Sequence, residues 1–246
     1  MIVSYWRYCK VFSYDITGVM VTGKTTERYA IAMGAVRSFL SQEYSGWKLL
    51  LVINDNPIPL FPEPSAIPPG VVELHIQHGK RYTLGELRNI AFDHVQPDGY
   101  MVQWDDDDWS HPHRLQYQVD ATTEGCASIL KWQVQYDLRT GRCFAGCGKE
   151  AKVSGFAGTM MFPASTRARF TLKPKGEDTD FLVALRKDME LKVLSTDPTM
   201  FMHFCHENNT WHPEHVMKRR SGSRDLKPHE LAAVKQVIAA EYSWAQ

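Results

Sequence analysis

Four consecutive aspartates, Asp105 to Asp108, follow directly on the apolar run Tyr100-Met101-Val102-Gln103-Trp104. A strand ending this way delivers its carboxylates to one point, and no basic residue adjoins them in sequence. Like charges so close repel and raise one another's pKa values. A cation relieves that repulsion. Hard divalent ions such as Mg²⁺ or Mn²⁺ favour carboxylate oxygens and keep positions open for phosphate oxygens. In α/β proteins ligands gather at the carboxyl ends of strands. The run therefore points to a metal-diphosphate site, with a solvated acidic turn as the plainer alternative.

The bulk numbers narrow the setting. A chain of 246 residues suits one α/β domain with a modest extension, or two small domains. Apolar residues make up 43%, enough for a substantial core. A formal net charge of zero supplies no global field for nucleic acid or anionic membranes. Lys218-Arg219-Arg220 and Arg224 form a short basic cluster, most simply a solvated loop. Tyr5, Trp6, Arg7 and Tyr8 stand where a secretory signal needs an apolar stretch. No run is long and apolar enough for a membrane span. Five cysteines, odd in number and scattered, fit a reducing compartment, so a cytoplasmic location is expected. Cys143-x3-Cys147 lacks a second pair at ligand spacing, which argues against structural zinc.

Along the chain, Val19 to Thr22 reads as a short buried strand, and Arg28 to Gln42 as a helix. Lys48 to Ile53 is a continuous apolar strand ending at Asn54-Asp55-Asn56-Pro57. Residues 57–70 hold six prolines and predict an irregular loop. Val71 to Ile76 is a third strand. Thr83 caps a helix from Leu84 to about Val95, with Glu86 placed for a capping box. Tyr100 to Trp104 is the fourth strand. This alternation predicts a mostly parallel sheet with helices on its faces. Further on, Ile129 to Tyr136, Gly158 to Phe162 and Leu191 to Leu194 read as strands. Asp137 to Gly141 reads as a turn, Glu177 to Lys187 as a helix, and Pro228 to Ala240 as an amphipathic C-terminal helix.

Gly18-Val19-Met20-Val21-Thr22-Gly23-Lys24-Thr25 matches G-x-x-x-x-G-K-[ST], the phosphate-binding P-loop. Such a loop must follow a strand, yet Val-Met-Val inside the motif is itself the best strand candidate. A P-loop kinase or NTPase using Lys24 and Thr25 is thus one alternative. A catalytically inactive sugar-binding module is another.

The order of motifs favours a different reading. Ala35 to Gln42 followed by Leu49 to Asp55 resembles the opening of family 2 glycosyltransferases of the GT-A fold. Leu84-Gly85-Glu86-Leu87-Arg88-Asn89 looks like that family's G-x-x-x-R-N helix start. Trp104-Asp105-Asp106-Asp107-Asp108 looks like its D-x-D-D segment, with Pro112 and Arg114-Leu115 following. Gly176-Glu177-Asp178 looks like its E-D motif. The likeness spans about residues 19–210.

The resemblance implies an α/β, GT-A-type (Rossmann-like) architecture. A mostly parallel central sheet would carry helices on both faces, as a single domain with a C-terminal helical extension. The domain would cover 1–215, with a nucleotide-binding half at about 17–110 and an acceptor-binding half at about 111–215. The extension would cover 216–246. It implies a metal-dependent, inverting transfer from a nucleotide-sugar donor, a UDP-sugar by preference, to an acceptor hydroxyl. Asp107 would bind Mn²⁺ or Mg²⁺. Asp105 would contact the ribose or the ion, with Asp106 beside it, and Asp55 the base. Thr22, Gly23 and Arg88 would neighbour the nucleotide, although Arg88 could equally pair with helix carboxylates. Asp178 would be the general base, and Glu177 would bind the acceptor or orient its loop. Their plainer role is as acids at a helix N-terminus.

His203, His206, His212 and His215 crowd one segment. His206-x-x-Asn-Thr-Trp resembles a segment of bacterial relatives, so His206 is the first choice for the metal and His203 the reserve. A zinc site built from these histidines is the competing possibility. The acceptor stays open: a glycan, a protein, or a hydroxymethylated DNA base, the last fitting a phage-encoded protein acting in the host cytoplasm. For DNA, the Lys218–Arg224 cluster would meet phosphates. The Thr22-Gly23-Lys24-Thr25 turn and the proline-rich insert depart from the family pattern, which leaves base and sugar open.

Overall fold

A computed structural model describes residues 15–23, 28–76, 81–148, 155–207, 209, 212–218 and 222–242. The first half runs β1 (Ile16–Thr22), α1 (Tyr29–Leu40), β2 (Lys48–Asn54), β3 (Val71–His75), α2 (Leu84–Phe92) and β4 (Tyr100–Gln103). Then come β5 (Trp109–Ser110), α3 (Arg114–Ala121), β6 (Ala127–Leu130), β7 (Trp132–Asp137), β8 (Cys143–Cys147) and β9 (Met161–Pro163). The last elements are α4 (Glu177–Asp188), β10 (Leu191–Leu194), β11 (Phe201–Cys205), α5 (Pro213–Val216) and α6 (Pro228–Glu241).

Seven strands form the main sheet in the order β10-β6-β9-β4-β1-β2-β3. β4, β1, β2 and β3 run parallel, and β9 is inserted antiparallel between β4 and β6. The apolar run of β2 is buried along nearly its whole length because helices cover both faces. Ala32, Ala35, Val36 and Phe39 of α1 close one face. Leu87 and Ala91 of α2, with Phe181, Leu182 and Leu185 of α4, close the other. Each of the larger side chains among these contributes about 1.5–3 kcal/mol. The Thr83 capping box forms as the sequence indicates, fixing where α2 begins.

Gly18 is a strand residue, paired with Leu50 on one side and Val102 on the other. A Cβ there would lie 2.5 Å from the Phe39 ring, so the glycine makes room for α1 to pack. The P-loop reading is therefore corrected. Gly18 to Thr22 are hydrogen-bonded strand and leave no loop to wrap a phosphate, while Lys24 and Thr25 lie outside the described residues.

The strand expected from Ile129 to Tyr136 is two strands in two sheets. Lys131 is the crossing point: its N–H reaches Leu194 O at 2.9 Å in the main sheet, and its carbonyl accepts from Gly148 in the second. That second sheet has the order β5-β11-β7-β8. The strand expected from Gly158 is shorter, since Ala157–Thr159 form a 3₁₀ turn before β9. α6 packs Val234 and Ile238 against Val134, Met202 and Phe204 of the second sheet. The proline-rich insert carries one 3₁₀ turn, Pro64–Ala66. It is pinned by buried Glu73, which accepts from the amides of Leu60 (2.8 Å) and Phe61 (3.3 Å).

Candidate active site

At the C-terminal ends of β1, β2 and β4, between the two sheets, lies a cavity of about 800 Å³. Thr22, Gly23, Asp55, Arg88, Asp105, Asp106, Asp107, Glu177 and Asp178 all line it. Gly23 closes the end of β1 with φ at 137°, a backbone that L side chains rarely adopt. A Cβ there would lie 2.9 Å from the Asp55 carbonyl carbon, so the glycine lets β1 and Asp55 come together.

The aspartate turn is anchored from beneath. Trp104 is buried, donates its indole N–H to Ala35 O at 2.9 Å, and meets Phe39 edge to face. Arg114, wholly buried, stacks over both Trp104 and Phe201 at 5.0 Å. It donates to Ser110 Oγ at 2.8 Å and Gln118 Oε1 at 3.0 Å. Burial pulls its pKa down to about 10, against the pull of Asp105 and Asp108.

The four aspartates point to different partners. Asp105 accepts from Arg88 Nη2 at 2.8 Å. Asp106 accepts from Thr22 Oγ1 at 2.8 Å and from Arg28. Asp107 Oδ2 meets Arg28 Nη2 at 3.0 Å, His206 Nε2 at 3.2 Å and Asn209 Nδ2 at 3.1 Å. Asp108 accepts from the Phe204 amide at 3.1 Å and meets His203 Nδ1 at 2.9 Å. No basic residue adjoins the run in sequence, but Arg28, Arg88 and His203 reach it from elsewhere in the chain. Arg28 lies 78 residues from Asp106 in sequence, which hides it from local reading.

The electrostatics follow from this partition. Burial and the Asp107 charge raise Asp106 above the usual carboxylate range, and burial raises Asp108 likewise. Burial also acts to raise Asp107, but its His206 hydrogen bond and the Arg28 charge outweigh it and hold it low. Burial opposes the charge of His203, yet Asp108 wins and pushes it up to about 9. Six carboxylates, Asp105 to Asp108, Glu177 and Asp178, share Arg28, Arg88 and His203 as cations.

Arg88 takes the pairing role, one of the two the sequence left open. From α2 it reaches Asp105 and also Glu177 (3.0 Å) and Asp178 at the start of α4. α4 begins after Gly176 in a left-handed conformation, with its acids in the first turn.

Asp107 and His206 also fit a divalent ion. Ligands at neighbouring corners of an octahedral Mg²⁺ lie about 3.0 Å apart. Asp107 Oδ2 and His206 Nε2 are 3.2 Å apart, a spacing one ion can bridge, with the oxygen suited to Mn²⁺ or Mg²⁺ and the nitrogen to a transition ion. The four histidines do not converge as zinc would require: His203 and His206 serve separate aspartates. Among the described residues, Asp197, His229 and Glu230 are the only three His, Cys, Asp or Glu with ligand atoms within 4.8 Å of one another. They lie at the start of α6, and Arg224 already takes both Glu230 oxygens. Arg224 is thereby tied to α6, while Arg219 and Arg220 lie outside the described residues.

Arg28 and Asn209 were missed as site residues. Asn209 stands within the His206-x-x-Asn-Thr-Trp segment, so its position was visible though its contact was not. Arg28 carries no local signal.

No protein-family model matches the sequence, and no curated protein matches it significantly. Solved structures do. S. aureus TarS residues 1–349 matches with a TM-score of 0.55 at 14% identity, covering 78% of this chain and 60% of that one. A second S. aureus TarS structure gives 0.55 and 14%, covering 77% of this chain and 36% of that one. GalNAc-T7 with UDP, GalNAc and Mn²⁺ gives 0.54 and 10%, covering 81% and 45%. The fold is GT-A. The chain spans 36% to 60% of the length of these structures. Among the described residues, no helix is long and apolar enough to cross a membrane.

Proposed function

We propose that this chain is a metal-dependent, inverting glycosyltransferase of the family 2 type, moving a sugar from a nucleotide-sugar donor to an acceptor hydroxyl. One observation carries the reading: Asp55, Asp105 to Asp107, Arg88 and Asp178 line a single cavity at the carboxyl ends of the parallel strands. The known structures of this fold lend support, one of them holding UDP and Mn²⁺.

Asp55 would accept an N–H of the base, which suits uracil and makes a UDP-sugar the preferred donor. Thr22 and Gly23 shape the floor beside it. Asp105 faces the ribose or the ion, and Asp106 holds Arg28 in place. Asp107 and His206, with Asn209 beside them, would hold Mn²⁺ or Mg²⁺, which when bound offsets negative charge on the diphosphate leaving group. Asp178 would take the proton from the acceptor hydroxyl as its oxygen attacks the anomeric carbon opposite the leaving group. One in-line displacement inverts the anomeric configuration. Glu177, held by Arg88, would orient the loop.

The test is turnover. The protein is incubated with Mn²⁺, single UDP-sugars and hydroxyl acceptors spanning glycans, peptides and hydroxymethylated DNA. UDP release is assayed, and the product's anomeric proton is read by NMR. Release of UDP with an inverted product supports the reading. A retained configuration, or hydrolysis of ATP instead, overturns it.

A further inference from the structure

β7 shows opposite chemistry on its two faces. Val134 packs toward α6. Gln133 and Gln135, two residues apart and therefore on the same face, line the active-site cavity. Both are buried, 4% and 9% exposed, yet no group among the described residues hydrogen-bonds either amide. The Gln135 Oε1 atom has no partner and is shielded as the amide lies; a turn about its last, soft torsion presents it to the cavity. Leaving such a group unmatched costs about 1–3 kcal/mol, so a folded protein keeps it where something else supplies the partner.

The surroundings say what that partner is. Gly146 of β8 stands opposite Gln133, and its missing side chain leaves room for Gln135 and Phe156 to lie over it. A Cβ at Gly146 would lie 3.2 Å from Gln135 Cγ and 3.4 Å from the Phe156 ring. Phe156 also lines the cavity. His203, the Asp108 partner, pairs in register with Gln135, so this wall continues into the acid cluster. Each amide offers two donors and an acceptor. Hydroxyl groups, which donate and accept, match them, and the ring of Phe156 suits the C–H face of a sugar. Neither amide is charged, so a neutral hydroxylated ring meets both without a counter-ion.

We propose that Gln133, Gln135 and Phe156 form an acceptor subsite for a neutral, multiply hydroxylated ring, that is, a glycoside. The proposal rests on the glycosyltransferase reading and names its acceptor class.

The probes are methyl glycosides of glucose, galactose and N-acetylglucosamine, with methyl glucuronide as the anionic control and 5-hydroxymethyldeoxyuridine as the nucleoside control. Binding is followed by saturation-transfer NMR, with and without UDP and Mn²⁺, in the parent, Gln133→Leu and Gln135→Leu. UDP affinity is measured on the same samples, and thermal melting confirms folding. The parent is expected to bind a neutral glycoside, and each leucine variant to weaken it about tenfold while leaving UDP affinity unchanged. Gly146→Ala, which narrows the same wall, should weaken it too. A parent that prefers the glucuronide or the nucleoside, or variants that bind the glycoside as well as the parent, would overturn the subsite. Glycoside binding without UDP binding would keep the subsite and overturn the donor reading. Binding of neither would overturn both.

Discussion

Arg88 donates to the carboxylate of Asp178, 90 residues further along the chain, and through its other nitrogen to Asp105. One guanidinium from α2 thus ties the end of β4 to the start of α4. It joins the carboxylate proposed for the donor to the one proposed as base.

Asp178→Asn keeps the shape and one acceptor oxygen but cannot take up the hydroxyl proton. Turnover is expected to fall by a factor on the order of 10²–10⁴. UDP affinity should hold, because the proposed role of this side chain is on the acceptor. Steady-state rates with a titration of UDP check both halves, and a variant with near-parental turnover would remove Asp178 from the chemistry.

Arg88→Met leaves three carboxylates at this junction without their shared cation. Removing one partner of a buried ion pair costs about 3–5 kcal/mol, so the variant should melt well below the parent. Arg88→Lys should recover only part of the loss, since one ammonium cannot span Asp105 and Asp178 as a fork. Denaturant unfolding of the two variants makes the comparison.

Much of this was readable from residues. The parallel strands announce themselves as apolar runs, and Thr83 with Glu86 marks the start of α2. The motif order brought Asp55, Arg88, the aspartates and Asp178 together before any coordinates did. Other parts were hidden for physical reasons. α3 buries Arg114 and Gln118 beside Leu115, so polar residues interrupt its inward face and blur the apolar stripe. β11 is short and nearly all buried, so it shows no alternation. Arg28 neutralises Asp106 and Asp107 only through the fold. A lone aspartate run looks self-repelling, and Asp107→Ala looks harmless to folding from sequence alone. With Arg28, His206 and Asn209 all on Asp107, the same change is expected to destabilise the fold.

Gly18→Ala probes the strand assignment of the G-x-x-x-x-G-K-T segment. Its methyl would enter the Phe39 ring, and overpacking of this kind costs about 1–3 kcal/mol. Thermal melting should show the loss. Unchanged stability would contradict the packing of α1 on β1.

Glu230 supplies a pH test away from the cavity. Arg224 holds it by two hydrogen bonds of 2.7 and 2.6 Å. These outweigh the effect of burial and lower its pKa from 4.5 to about 2. A depressed carboxylate stabilises the folded state above its unfolded pKa and loses that contribution as pH falls through the folded value. Glu230→Gln should therefore melt below the parent at pH 7, by about 1.5–3 kcal/mol in stability. The gap should close between pH 4.5 and about 2. A gap independent of pH would contradict the ion pair.

The most direct measurement is a calorimetric titration of UDP into the parent and into Asp107→Ala, each with Mn²⁺ and with EDTA. The expected result is binding to the parent that requires Mn²⁺ and is lost in the variant, with circular dichroism confirming that the variant is folded. UDP binding that ignores Mn²⁺, or that survives unchanged in folded Asp107→Ala, would contradict a metal-diphosphate site at the end of β4.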